Sequence, residues 1–260
     1  MVIQDTKEKD VLSRHDVQRV LGLLNHWSQV IVVGRIFVNR LLKEYRQISP
    51  NQEFFSPSKE FRLDIRWWEL IAPSLNFKSM MEVSYKGPEL TVDMDASTSW
   101  GLGAINYVDK EFFLLPTPRV IAGLPIHCAE MAVLMVVVDT WMGISMCEEQ
   151  MGVTDEQGSG VSLFHSSHVR MRSDNQAVVS AINSGKTKDD FLGIGMRYVH
   201  HQMALRDAQL SLSYVSTKLN VWADKLSRGC TETVGSLVER NFRQIFVPEQ
   251  RLSQLINLDL

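Results

Sequence analysis

The chain contains little cysteine, no excess of basic charge and no long apolar run. Its three cysteines, Cys128, Cys147 and Cys230, are far apart and form no Cys-x-x-Cys pair, so neither a disulfide framework nor a zinc cassette is expected. The 27 Lys and Arg are outnumbered by 30 Asp and Glu, which excludes a basic field over the whole protein. The longest apolar run, 131–138, is far shorter than the roughly 20 residues that span a bilayer.

What is present is typical of a soluble globular protein. Of the 260 residues, 45% are hydrophobic and 22% are charged, which is close to the globular average and excludes a disordered or collagen-like chain. The length fits one large domain or two small ones. The N-terminal sequence contains no apolar signal core, so we expect an intracellular protein, nuclear or cytoplasmic rather than secreted, with no membrane association.

The charge and the pattern of apolar residues change at Gly87-Pro88, a turn-type dipeptide. Residues 1–87 carry 13 basic and 10 acidic side chains, whereas residues 88–260 carry 14 and 20. The first part has apolar residues at helical spacing and is interpreted as a small helical region, with helices near 17–27, 36–45 and 59–71. Its arginines fit either a solvated helix face or a basic surface along a nucleic-acid backbone.

The pattern after Pro88 predicts a mixed α/β domain over residues 88–230. Stretches bounded by turn residues indicate five strands, at 89–95, 101–107, 111–115, 169–174 and 210–215. Helical stretches occur at 126–146, 176–183, 187–208 and 221–228, and a glycine-rich loop occurs at 152–160. Residues 231–260 give no clear pattern and are interpreted as a C-terminal tail of unknown role.

Four acidic residues are the strongest functional feature of the second part. Asp95 and Asp174 lie at the ends of predicted strands, Asp224 lies in the first turn of a late helix, and Glu130 lies in an otherwise apolar helix. A buried carboxylate has to be paired, protonated or bound to a metal ion. Each acid taken alone also fits a turn or a helix cap. Together, carboxylates in one cleft would repel each other unless a divalent cation such as Mg²⁺ or Mn²⁺ neutralised them.

The sequences around these four acids resemble the motifs of retroelement ribonuclease H domains. They read MDASTSWGLGA at 94–104, IHCAEM at 126–131, RSDNQAVV at 172–179 and NVWADKLSR at 220–228, in the order of that family. One such motif is weak, whereas four in the same order are specific. The style is most similar to the retrotransposons of the DIRS-like, tyrosine-recombinase group.

The resemblance implies a ribonuclease H-like mixed five-stranded sheet with packing helices, and endonucleolytic cleavage of RNA in RNA–DNA hybrids. The implied catalytic and metal-binding residues, which would hold two Mg²⁺ or Mn²⁺ ions about 3.5–4 Å apart, are Asp95, Glu130, Asp174 and Asp224. Contacts to the substrate, including ribose 2′-OH groups, would come from Ser97, Asn175, Gln176 and Lys218.

The resemblance extends upstream, where residues 1–87 are similar to the thumb and connection region that follows a reverse transcriptase. The similar segments are LGLLN at 21–25, VGRIF at 33–37 and the pair Trp67-Trp68. The palm motif Tyr/Phe-x-Asp-Asp does not occur in the sequence. The resemblance therefore implies a fragment or truncated copy of a longer polyprotein, with the polymerase part as a partner.

Departures from the family pattern keep other functions open. The stretch from Tyr214 to Leu219 lacks the family's histidine, and Thr217 replaces its glycine. Asp93, two residues before Asp95, would point to the same side of the strand, although the Asp-Ala-Ser context favours Asp95. The alternatives are a catalytically inactive or domesticated ribonuclease H-like module that binds nucleic acid or a partner, and a metal-dependent DNA nuclease on the same fold.

Overall fold

The computed structural model describes residues 3, 6, 9–49, 51–74, 89–142, 168–205 and 208–257. The chain divides into two compact units, Met1–Ser84 with Asp259–Leu260, and Tyr85–Leu258. The sequence boundary at Gly87-Pro88 and the glycine-rich loop at 152–160 lie outside the described residues. The four acids singled out in the sequence all belong to the second unit.

The described part of the first unit is helical, as the apolar spacing predicts. Its helices are α1 (Arg14–Val30), α2 (Arg35–Tyr45) and α3 (Lys59–Ser74), and two short strands, β1 (Leu12–Ser13) and β2 (Phe54–Phe55), pair antiparallel. Helix α1 begins with a capping box, because the Ser13 hydroxyl accepts from the Asp16 backbone N–H and the Asp16 carboxylate accepts from the Ser13 N–H. Local sequence therefore fixes where this helix starts.

Aromatic packing and one ion pair join α2 to α3. Phe37 stacks on Trp67 with ring centroids 3.9 Å apart, and Trp68 is fully buried beside them. Asp64 is also fully buried, and Arg40 donates to it through Nε at 2.6 Å. A buried carboxylate is tolerated there because the guanidinium neutralises it.

The second unit is built on a mixed sheet, which has six strands among the described residues. The strands are β3 (Glu89–Ala96), β4 (Gly101–Asn106), β5 (Glu111–Pro116), β6 (His168–Ser173), β7 (Gln209–Tyr214) and β8 (Arg243–Gln244). Their order across the sheet is β7-β6-β3-β4-β5-β8. Strands β3, β4 and β5 form an antiparallel meander, β6 and β7 run parallel to β3, and β8 runs parallel to β5.

Helices pack on both faces of this sheet: α4 (Ile126–Met142), α5 (Gln176–Ser184), α6 (Asp190–Leu205), α7 (Val221–Ser227), α8 (Thr231–Glu239) and α9 (Arg251–Ile256). Phe112 forms one core with Leu226 of α7 and Leu237 of α8. Its neighbour Phe113 packs against Trp141 of α4. Because successive strand residues point to opposite faces, α4 lies on the other side of the sheet from α7 and α8.

Residues 231–257, which were interpreted as part of a C-terminal tail, belong to the second unit. Helix α8, strand β8 and helix α9 all fall within 231–260, and Arg251 of α9 binds Asp139 of α4 at 2.6 Å. The sequence predicts five strands for this sheet, and the structure has six among the described residues. The missing strand, β8, is only two residues long, so it shows no alternation that sequence reasoning can detect.

The helices and strands that the sequence predicts agree with the structure to within a few residues, whereas β1, β2, α8 and α9 were not predicted. Helix α6 begins at Asp190 rather than Thr187, because the Asp189 side chain caps it by accepting from the Leu192 N–H at 2.9 Å. The last four residues of the helix predicted at 126–146 lie outside the described residues. Within the described part of the chain, no helix combines the length and the apolar character needed to cross a membrane.

Candidate active site: a buried acidic cluster

Three of the four predicted acids come together at one edge of the sheet. Asp95 lies near the end of β3, Asp174 follows directly after β6, and Glu130 lies in α4. One carboxylate oxygen from each of the three lies within 4.8 Å of the others. Strands β3 and β6 are parallel neighbours, so their carboxyl ends meet at the same edge. We refer to Asp95, Glu130 and Asp174 as the acidic cluster.

Glu130 is fixed at this edge from the α4 side. The residue is 2% exposed, Oε1 accepts from the Ala96 backbone N–H at 3.1 Å, and Oε2 accepts from the Ser173 hydroxyl at 3.1 Å. Burial, together with the charge of Asp95, raises the pKa of Glu130 to about 8. In the absence of a cation, Glu130 therefore keeps its proton at neutral pH.

Asp95 is fixed from the α7 side. The residue is 4% exposed, and the Ser227 hydroxyl lies 2.5 Å from its Oδ2. Burial raises the pKa of Asp95 to about 7, and the hydrogen bond from Ser227 opposes this rise. The Ser227 hydroxyl also lies 2.9 Å from the Asp224 backbone oxygen. One hydroxyl carries one proton, so Ser227 can donate to only one of these two oxygens at a time.

Helix α7 reaches Asp95 because Gly103 lets it approach the sheet closely. Gly103 is the register partner of Asp95 on β4. A Cβ placed on Gly103 would lie 2.5 Å from the Ser227 backbone nitrogen, closer than side chains allow. The glycine therefore has a packing role in the site, and the position of Ser227 depends on it.

Asp174 is the more open member of the acidic cluster. It is only partly buried, and the Thr217 hydroxyl donates to its Oδ2 at 2.5 Å. Thr217 stands where the resemblance leads one to expect glycine, so the substituted residue binds a cluster carboxylate directly. The loop after β7 is thereby tied to the end of β6.

Asp224 lies beside the acidic cluster without belonging to the group of three close oxygens. It lies in the first turn of α7, and its Oδ1 accepts from Arg228 at 2.9 Å and 2.8 Å. Its charge still contributes to the raised pKa of Asp95, so it is close enough to act electrostatically. Arg228 is more than half exposed, and such ion pairs contribute only about 0–1 kcal/mol to stability.

Asp93, the alternative to Asp95, is already neutralised. It is buried, and Arg172 donates to both of its oxygens, at 2.6 Å and 2.7 Å. The Tyr107 hydroxyl donates to the same carboxylate at 2.8 Å. Asp93 is therefore bound in a structural ion pair, which leaves Asp95 as the candidate ligand on β3.

Charge pairing separates the cluster from the other buried acids. The buried acidic residues of the described chain are Asp64, Asp93, Asp95, Glu111 and Glu130. Three of them form ion pairs with arginine: Asp64 with Arg40, Asp93 with Arg172 and Glu111 with Arg243. Asp95 and Glu130 form no such ion pair with any described residue, and their hydrogen bonds come from neutral groups. Neither of these two carboxylates has a basic side chain in direct contact among the described residues, and Arg228 acts on Asp95 only at longer range.

The residues predicted to contact the substrate lie in the segments that border the acidic cluster. Some of their side chains already form hydrogen bonds within the protein, and others are exposed. The Asn175 side chain is occupied, because Oδ1 caps α5 by accepting from the Ala177 and Val178 N–H groups at 3.0 Å and 3.2 Å. The Ser97 hydroxyl forms a 2.7 Å hydrogen bond with that of Ser99. Gln176 and Lys218 are exposed.

Sequence reasoning missed the neutral side chains that orient the carboxylates. Ser173, Thr217 and Ser227 each donate to a cluster carboxylate. Asn220 is fully buried and donates to the Met94 backbone oxygen at 2.9 Å, which ties the start of α7 to β3. These residues lie inside or beside the quoted motifs, so the motif context was the available signal.

The donor set fits a hard divalent cation. The cluster offers only carboxylate oxygens, and burial raises the pKa of Asp95 to about 7 and that of Glu130 to about 8. Oxygen ligands of this kind bind Mg²⁺, Mn²⁺ and related ions. The cluster can therefore hold a metal ion. No protein-family model matches the chain, and no curated protein matches it significantly in sequence.

Proposed function

We propose that the chain is a divalent-metal-dependent endonuclease of the ribonuclease H type, which cuts RNA in RNA–DNA hybrids. The single observation that carries this proposal is the convergence of Asp95, Glu130 and Asp174 at the end of the sheet where β3 and β6 finish, with no ion pair to any basic residue in the described part of the chain. The mixed sheet with helices on both faces is compatible with a ribonuclease H-like fold. The retroelement origin and the upstream thumb-like unit are part of the same proposal and rest on the motif resemblance.

The residues of the chain position the carboxylates before any ion binds. Ala96 N–H and Ser173 hold Glu130, Ser227 holds Asp95, and Thr217 holds Asp174. Because these donors are neutral, they orient the oxygens without cancelling their charge. Two Mg²⁺ or Mn²⁺ ions bound there would activate a water molecule and stabilise the departing 3′ oxygen.

Asp224 completes the proposed set of four metal ligands if it gives up its ion pair with Arg228 and binds a metal ion instead. The exchange costs little, because an exposed arginine–carboxylate pair is worth about 0–1 kcal/mol. The Asp224 backbone oxygen already contacts Ser227, which in turn contacts Asp95. Asp224 therefore acts in this proposal as the outer ligand of the site.

Recognition of the hybrid is assigned to the exposed residues around the cluster. Lys218 follows Thr217 directly and can contact a phosphate, and the amide of Gln176 can donate to a ribose 2′-OH. Asn175 contributes through its position at the start of α5, since its side-chain oxygen already caps that helix. The proposed specificity for RNA depends on the 2′-OH contacts.

The proposal is tested with a labelled RNA–DNA hybrid in Mg²⁺ or Mn²⁺. Asp174→Asn preserves the hydrogen bond from Thr217 and removes one cluster charge, so it should abolish cleavage of the RNA strand. Glu249→Gln removes one exposed charge elsewhere in the unit and should cleave like the wild type.

The other outcomes distinguish the alternatives. Cleavage of a DNA duplex in preference to the hybrid would favour the DNA nuclease. Hybrid binding without cleavage, by a chain that unfolds cooperatively, would refute the enzyme and favour the nucleic-acid-binding module.

A further inference from the structure

A second group of potential metal ligands lies outside the acidic cluster. The His127 Nε2 is 3.1 Å from the Asp189 Oδ2, and a ligand atom from each of His127, Cys128 and Asp189 lies within 4.8 Å of the others. We propose that these three side chains form a binding site for one divalent transition-metal ion of the zinc type. This site is separate from the proposed nuclease function and does not depend on it.

The fold orients these ligands from two elements. His127 and Cys128 lie in the first turn of α4, where the Cys128 N–H donates to the Pro125 oxygen at 2.9 Å. Asp189 precedes α6 and caps it, because its Oδ1 accepts from the Leu192 N–H at 2.9 Å. With Oδ1 engaged in this way, Oδ2 is the oxygen that faces His127. A carboxylate held by a backbone hydrogen bond is the kind of fixed ligand that metal sites use.

The donor types favour a different metal from that of the acidic cluster. An imidazole, a thiol and one carboxylate match the ligands of Zn²⁺, which bind at about 2.0–2.3 Å in a tetrahedron. Ligand atoms in such a tetrahedron lie about 3.3–3.6 Å apart, so the present spacing of up to 4.8 Å needs only a small closure. Thiolate and imidazole select zinc-type ions, whereas the oxygen-only cluster selects Mg²⁺ or Mn²⁺.

The exposure of the three side chains leaves room for a water as the fourth ligand. The Cys128 residue is 3% exposed, whereas the His127 and Asp189 side chains are 31% and 37% exposed. The site therefore has a closed side formed by the thiol and an open side toward solvent. An ion bound there would link the start of α4, the helix that carries Glu130, to the start of α6.

Cobalt is the probe that tests this proposal directly. The whole 260-residue chain, freed of metal, is titrated with Co²⁺ in excess Mg²⁺, which occupies oxygen-only sites. We expect one Co²⁺ per chain, with the near-ultraviolet charge-transfer band of a thiolate ligand and the visible bands of tetrahedral Co²⁺, and displacement of both by Zn²⁺. This readout does not depend on nucleic-acid cleavage.

Two variants of the proposed ligands, with two cysteine variants as controls, assign the bands. Cys128→Ser should abolish the thiolate band, whereas Cys230→Ser and Cys147→Ser should keep it. Asp189→Ser retains a capping side chain for α6 but cannot reach the ion, so it should weaken Co²⁺ binding by about 10–100-fold. Absence of a thiolate band at one equivalent of Co²⁺, or its persistence in Cys128→Ser, would overturn the proposal.

Discussion

Glu130→Gln should stabilise the metal-free protein at neutral and alkaline pH. The substitution preserves the shape of the side chain, and the glutamine oxygen can still accept from the Ala96 N–H. It removes a carboxyl whose pKa in the folded protein is about 8, against an ordinary value of 4.5. The unfolded chain releases this proton at pH 7 and the folded protein keeps it, which costs the folded state on the order of 3 kcal/mol.

The sign of the effect follows from the raised pKa. Below pH 4.5 the carboxyl is protonated in both states, so the wild type and Glu130→Gln should unfold with similar free energies. As the pH rises toward 8, the wild type loses stability relative to the variant by on the order of 3 kcal/mol. Since Mg²⁺ or Mn²⁺ supplies the missing counter-charge, adding either ion at pH 8 should restore the wild type and affect the variant much less.

Urea unfolding at several pH values between 5 and 8, in a chelator and then in Mg²⁺ or Mn²⁺, measures this difference. Glu249→Gln, an exposed site, is the matched control and should follow the wild type throughout. Parallel pH profiles for the wild type and Glu130→Gln would refute the reasoning. They would show that Glu130 already has a counter-charge and does not need an ion.

Three further predictions concern the surroundings of the cluster. Ser227→Ala removes the hydroxyl that lies 2.5 Å from Asp95 and should weaken Mg²⁺ binding by about 10–100-fold in calorimetry, whereas unchanged binding would exclude a positioning role. Arg228→Ala breaks an exposed ion pair with Asp224, so the free energy of unfolding should change by less than about 1 kcal/mol. The affinity for Mg²⁺ should rise, and a lower affinity would contradict competition between Arg228 and Mg²⁺ for Asp224. Gly103→Ala should lower the free energy of unfolding by about 1–3 kcal/mol, whereas Gly235→Ala, at a position that faces open space, should not lower it. Equal urea midpoints for Gly103→Ala and the wild type would show that α7 can move away from β4 without cost.

The sequence predicts most of the second unit because its elements follow local rules. The strands at 89–96 and 209–214 begin and end within one residue of the alternating stretches, and α5 within one residue of its helical stretch. Strand β8 was not predicted because two residues are too few to show an alternating pattern. Its partner strand, β5, lies far away in the sequence. A strand that forms only because it pairs with a distant strand cannot be predicted from the periodicity of its own residues.

The candidate site also contains residues that the sequence predicts and residues that it does not. Motif context placed Asp95, Glu130 and Asp174, which the structure brings together. It did not place Asp224 with Arg228, although their i,i+4 spacing on a helix is a local signal for such a pair. Ser173 lies inside a quoted motif, but its hydrogen bond to Glu130 joins separate elements, so the motif marks the residue without showing its role.

Strand β3 shows why pairing, rather than burial, distinguishes a ligand from a structural acid. Asp93 and Asp95 are two residues apart, and both are buried. Arg172 supplies a full positive charge to the first, and the neutral Tyr107 hydroxyl donates to the same carboxylate. The second receives a hydrogen bond from the uncharged Ser227, which orients its oxygen but leaves its charge uncompensated. The same strand thus carries one carboxylate that Arg172 neutralises within the fold and one that has no basic side chain in contact among the described residues. Only the second can act as a metal ligand without first breaking a partly buried ion pair.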